Sequence, residues 1–183
     1  SKDDTGRSDG YVAGGGPGYT GATDTVGRGA LTIPSIPPVG LREKKEKPLD
    51  VYILAGQSNM VGMRSEIEKV PADWMQPDYG ILFFDNGNWI PAIPGKTEPK
   101  GFGPEISFGQ TLRKLGHPPL GIIKASRGAT ALAEHWNAGP EKGELLKFLE
   151  NQIRSAKMSR PLKFRGIIWM QGESDADSPA KAQ

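Results

Sequence analysis

Five consecutive apolar residues, Val51-Tyr52-Ile53-Leu54-Ala55, end abruptly at Gly56-Gln57-Ser58-Asn59. A short, nearly continuous apolar run closed by a turn predicts a strand buried on both faces, over Leu49 to Ala55. Such strands belong to parallel sheets covered by helices. The remaining sequence has that rhythm. Strands are expected at Tyr79 to Phe84, at Asn88 to Ile93 as a shorter one, at Leu120 to Ala125 and at Phe164 to Met170. A helix is expected over Glu105 to Leu115, opened by Gly103-Pro104 and an acid. A second is expected over Glu144 to Met158, where Leu145, Leu149, Ile153 and Ala156 recur at helical spacing. Ser178-Pro179 has the form of an N-cap and first helical residue, so a further helix is expected to open there. Alternating strands and helices argue for an α/β layered fold with a mostly parallel sheet. The alternative is an α+β arrangement, with residues 79–93 as an antiparallel hairpin.

The first 47 residues differ in kind. Ten of the 25 glycines lie between Gly6 and Gly40. Ile33-Pro34-Ser35-Ile36-Pro37-Pro38 favours an extended path, and Arg42 to Lys47 is a mixed charge run. Residues 1–47 therefore read as a flexible or accessory segment with a linker, and 48–183 as the folded domain. Gly14-Gly15-Gly16 lacks the lysine and hydroxyl of a phosphate-binding loop.

Composition excludes several classes. With 23 basic and 21 acidic residues the net charge is +2, which gives no electrostatic case for nucleic acid or an anionic membrane. No cysteine is present, so thiol nucleophiles and thiolate metal sites are excluded. No run reaches the ~18–20 apolar residues that cross a bilayer. No signal-peptide core opens the sequence. The lack of cysteine fits an exported bacterial protein, and a secreted or periplasmic location is the expectation.

In a parallel sheet, functional groups gather beyond the carboxyl ends of the strands. Three polar segments follow strands directly: Gln57-Ser58-Asn59, Ser126-Arg127-Gly128-Ala129-Thr130 and Gln171-Gly172-Glu173. Parallel strands would bring all three to one rim. Ester hydrolysis needs a nucleophile, a base and donors aimed at the developing oxyanion. Ser58 suits the first role, while the Gly128 amide and the Gln171 carboxamide suit the last. Taken singly, each has an ordinary structural explanation: Ser58 as a helix N-cap, Gly128 as a turn glycine and Gln171 as a strand-end cap. Their joint placement favours chemistry.

Ile53-Leu54-Ala55-Gly56-Gln57-Ser58-Asn59-Met60 resembles the nucleophile block of the SGNH-hydrolase superfamily. More narrowly, it resembles the sialate O-acetylesterase-like group and carbohydrate esterase family 6, where GQSN replaces GDS. Trp169-Met170-Gln171-Gly172-Glu173-Ser174-Asp175 resembles that group's later block. Gly103-Pro104-Glu105 fits its intervening motif, and Ser126 to Thr130 is a looser match to its glycine block. The resemblance covers roughly residues 50–177.

It implies a three-layer α/β/α sandwich with a flavodoxin-like sheet, and a serine esterase acting on acetylated carbohydrates without metal or organic cofactor. Ser58 would attack the acyl carbon. The amides of Ser58 and Gly128 and the Gln171 side chain would form the oxyanion hole. Gln57, Asn59 and Asp175 would brace the turns behind them, and Glu173 would support the turn or hydrogen-bond within the site.

The family takes its base from a C-terminal Asp-x-x-His block that these 183 residues do not contain. His117 is expected at the opposite rim, ahead of a strand. His135, in Glu134-His135-Trp136, is expected on the correct rim, where a substrate contact suits it better than catalysis. The expectation is that the protein continues through a further helix and strand to the missing block, or that a partner chain supplies it. The competing reading is a non-catalytic sugar-binding or scaffold protein with Trp136 and Trp89 as sugar platforms. A flavodoxin-like nucleotide binder ranks last, because no phosphate-binding glycine motif follows the first strand.

Overall fold

The computed structural model describes residues 46–99 and 101–177. Residues 1–45 and the expected helix at Ser178-Pro179 lie outside the described residues. Five strands form one sheet: β1 (Leu49–Gly56), β2 (Ile81–Asp85), β3 (Asn88–Pro91), β4 (Leu120–Ser126) and β5 (Leu162–Met170). Their order is β3-β2-β4-β1-β5. β2, β4, β1 and β5 are mutually parallel, and β3 alone runs antiparallel, against β2. The two readings of residues 79–93 are thus reconciled, with a hairpin forming one edge of an otherwise parallel α/β sheet. Its two-residue turn, Asn86-Gly87, has positive φ at both positions, which matches the twist of the flanking strands.

Helices cover both faces, and β1 explains why. Its alternate side chains point to opposite sides, so a strand apolar at every position from Val51 to Ala55 needs two covers. Val51, Ile53 and Ala55 join Ile123 and Ala125 of β4 under α4 (Glu144–Ser159), which contributes Leu145, Leu149 and Ala156. Leu54 packs instead with Ile122 of β4 and Ile81 of β2 beneath Ile106 of α2 (Pro104–Lys114). The result is the expected three-layer sandwich.

Three single-turn helices complete the described domain: α1 (Ser58–Val61), α3 (Leu132–His135) and α5 (Glu173–Ala176). Two short 3-10 turns, Ile67–Lys69 and Ala72–Met75, lie between α1 and β2. The chain leaves β1 toward β2, and after β4 it crosses back past β1 to β5. The connections that leave the adjacent strands β1 and β4 therefore run in opposite directions, which opens a crevice beyond their carboxyl ends. Among the described residues no helix is long and apolar enough to cross a membrane.

Candidate active site

The register of the sheet aligns the three strand ends. Gly56 pairs with Ser126 on one side and with Met170 on the other. The segments after β1, β4 and β5 consequently leave the sheet at one level. Glycine is required at 56, because a Cβ there would lie 2.0 Å from the Met170 carbonyl oxygen. Next in the chain, the Gln57 N–H donates to that same carbonyl at 2.9 Å, pinning the turn to β5.

Ser58 is half-buried and is the first residue of α1. The N-cap position belongs to Gln57, which makes no side-chain capping bond, so the serine is not there as a cap. The Ser58 N–H stands in the first turn, where a helix leaves its donors unpaired. Gly128 lies beside it. A Cβ on Gly128 would fall 2.6 Å from Met63 Sδ and 3.8 Å from Ser58 Cβ, so a side chain would crowd the approach to the serine. The next residue, Ala129, has φ 56°, and Arg64 across the recess has φ 68°. Left-handed backbone at a non-glycine residue is held only by its surroundings, and it clusters at functional sites. Ser58, Asn59, Met63 and Arg64 line a recess of about 290 Å³.

Behind the recess the polar side chains lock to one another. The Gln171 NH2 donates to Gln57 Oε1 at 2.9 Å and to the Thr130 carbonyl at 2.5 Å, with Asp175 Oδ2 at 3.3 Å. The Gln171 carbonyl oxygen accepts from the Thr130 hydroxyl at 3.2 Å. This departs from the expected oxyanion role, because two amide protons facing three acceptors are already committed. Gln171 ties the three loops together instead. Asp175, buried, accepts the Leu132 N–H at 2.8 Å and so anchors α3. Gln57, also buried, faces the Ser174 N–H at 3.5 Å. Asn59 donates to Glu173 at 2.5 Å, a bond across the mouth of the site between the first and third loops. Thr130, fully buried at the centre of this network, carried no distinguishing mark in the sequence.

Neither histidine is free to serve as base. His117 sits at the opposite rim: its Nδ1 donates to the Pro118 carbonyl at 2.8 Å and its Nε2 accepts from the Tyr52 hydroxyl at 3.1 Å. His135 Nδ1 accepts the Ala131 N–H at 3.0 Å, so the neutral ring carries its proton on Nε2 and has no lone pair to offer there. That nitrogen lies 3.9 Å from Glu144. Glu144 also accepts a bond from Arg127 of the glycine loop, which lowers the Glu144 pKa and raises that of Arg127. His135, the last residue of α3, thus offers an N–H at Nε2 and no lone pair there.

Trp136 is corrected outright. It is 7% exposed and stacks edge-on against Trp169 with ring centroids 4.8 Å apart. Trp89 packs on Phe84 and donates to the Ser159 hydroxyl at 2.9 Å. Trp136 therefore lacks the exposed face a sugar platform needs, while Trp89 is half-buried.

Lys124 and Glu105 form a buried pair that no local sequence pattern joins. A lysine inside the apolar strand Leu120–Ser126 was the available signal, since a buried charge demands a partner. Lys124 donates to Glu105 at 2.9 Å, and Glu98 lies 3.9 Å away. Burial is the main cause of a raised Glu98 pKa, opposed by Lys124.

A family model described as carbohydrate esterase, sialic acid-specific acetylesterase, matches residues 48–183. Among solved structures, a protein from Arabidopsis thaliana is similar at 23% identity and a TM-score of 0.58, covering 74% of this chain and 62% of that one. A carbohydrate acetylesterase from Xanthomonas citri is similar at 22% identity and a TM-score of 0.47, covering 69% of this chain and 33% of that one. No curated protein matches. The chain thus spans less than two thirds of either solved relative. The Arabidopsis likeness bears on the fold alone. The family match takes in all three loops of the rim along with the sheet that aligns them, and by it the chain belongs to the carbohydrate esterase family of sialic acid-specific acetylesterases.

Proposed function

We propose that this domain carries the nucleophile and oxyanion-binding part of a serine esterase that removes acetyl groups from carbohydrates. The observation that carries the reading is the position of Ser58. It is half-exposed at the head of α1, faces a recess, and has the Gly128 backbone against it. Ser58 Oγ attacks the acetyl carbon, and the carbonyl oxygen becomes an oxyanion held by the N–H groups of Ser58 and Gly128. Among the described residues no acceptor takes the Gly128 N–H. Collapse of that intermediate releases the sugar hydroxyl and leaves an acetyl-serine, which water then cleaves to acetate. Gln171 positions the loops that present these two amides. The proton from Ser58 needs a base that the described residues do not provide, and the Asp-x-x-His block of related enzymes is the natural source.

The test is Ser58→Ala in the full protein, with an acetylated sugar or p-nitrophenyl acetate as substrate. The expected result is a fall in kcat/KM on the order of 10³-fold or more with an unchanged melting temperature. Turnover equal to the parent protein's would remove Ser58 from the mechanism.

A further inference from the structure

The Lys124–Glu105 pair is not used by the chemistry proposed above, yet it lies against the carboxyl end of α1, the turn that begins with Ser58. The Lys124 side chain is 3% exposed and that of Glu105 0%. The Lys124 ammonium donates to Glu105 Oε2 at 2.9 Å and to the Val61 carbonyl at 3.1 Å. Glu105 Oε1 takes the Gly103 N–H at 2.9 Å and the Thr97 hydroxyl at 2.7 Å. Val61 is the last residue of α1, so its carbonyl is one that a helix end leaves unpaired. The backbone packing is equally close: a Cβ at Gly103 would lie 2.5 Å from the Met60 carbonyl oxygen and 2.6 Å from Lys124 Nζ. One ion pair therefore joins β4, the entrance of α2 and the carboxyl end of the turn that begins with Ser58.

A four-residue helix cannot hold its own geometry, because one turn has no propagation to offset nucleation. Something outside α1 must fix it. At its amino end Gln57 is bonded to β5; at its carboxyl end stands a buried cation, the sign a helix terminus favours there.

We propose that Lys124, oriented by Glu105, is a positioning residue for Ser58: by holding the Val61 carbonyl it sets where the Ser58 hydroxyl and N–H point. The inference rests on Ser58 being the nucleophile. It also gives Gly103-Pro104-Glu105 a physical task, delivering a carboxylate to the lysine under the nucleophile turn.

The variant to make is Lys124→Met/Glu105→Gln, which removes both charges together and leaves neither buried alone. Glutamine keeps an oxygen for the Gly103 N–H. In the full protein, kcat for p-nitrophenyl acetate is expected to fall at least tenfold with KM within twofold. Amide exchange is expected to accelerate across residues 58–62 while the strands keep their protection. A kcat within twofold of the parent protein overturns the inference and leaves the esterase function standing. A parent protein that does not hydrolyse the ester overturns the esterase function. The exchange data then decide the positioning role, which unchanged protection at 58–62 overturns. If the double variant does not fold, Glu105→Gln alone, with Glu98 still facing the lysine, takes the same measurements.

Discussion

Gln171 has two amide protons and three acceptors around them, and those acceptors belong to three different loops. Replacing it by leucine leaves Gln57 and Thr130 with polar atoms facing an apolar group. Gln171→Leu is expected to destabilise the domain by about 1–3 kcal/mol, the cost of unsatisfied buried partners. Urea denaturation measures this, and a loss below about 0.5 kcal/mol would mean the loops hold without it. The positions of Gln57, Ser58, Gly128, Gln171 and Asp175 at one rim were legible, since each follows a strand that could be read from its apolar run. The direction of Gln171 was not. A carboxamide offers donors and an acceptor with equal ease, and only the surrounding loops decide which way it turns. Trp136 shows the same limit, because its burial depends on Trp169, 33 residues later and on another strand.

Elements long enough to show a period were readable. α4 spans Glu144–Ser159 against the expected Glu144 to Met158, and α2 spans Pro104–Lys114 against Glu105 to Leu115. The single-turn helices α1, α3 and α5 were not readable, because four residues complete barely one turn and show no repeat. β5 begins two residues earlier than expected, at Leu162, where its first residues pair with the start of β1. That end of the sheet carries its own electrostatic tie. Arg165 of β5 donates to Asp50 of β1 at 2.8 Å, and His117 lies 3.9 Å from the same carboxylate. The Arg165 hydrogen bond holds the Asp50 pKa below its ordinary value. A depressed carboxylate contributes stability above its unfolded pKa of about 3.9 and loses it as pH falls through the folded value. Arg165→Ala should therefore melt lower than the parent protein at pH 7, with the gap closing below about pH 4. Melting curves across pH 2–8 check this, and a gap that persists at the acid end would assign the loss to packing.

Across the whole molecule, one side of the sheet is unlike the rest. Among the described residues β5 is an edge strand, and Ile167 is 64%, Trp169 46% and Phe164 37% exposed. An edge with open backbone groups and large apolar side chains is a template for another strand. The 183-residue chain is expected to self-associate at micromolar concentration, and Ile167→Lys should shift it toward monomer in sedimentation velocity. A parent chain that stays monomeric would show that the edge is protected.

Strand–helix alternation, doubly buried β1 and polar segments after three strands are all local patterns. Local patterns follow from periodicity and turn chemistry, so the sequence by itself determined the α/β class and the residues brought to the rim. Tertiary structure decided the rest: β1 between β4 and β5, the inward turn of Gln171, the burial of Trp136, and the seating of Lys124 against Glu105 beneath α1. Each of these depends on which distant segments meet. Pairings across the sheet are settled by the summed packing of every layer, and no stretch of sequence holds that sum.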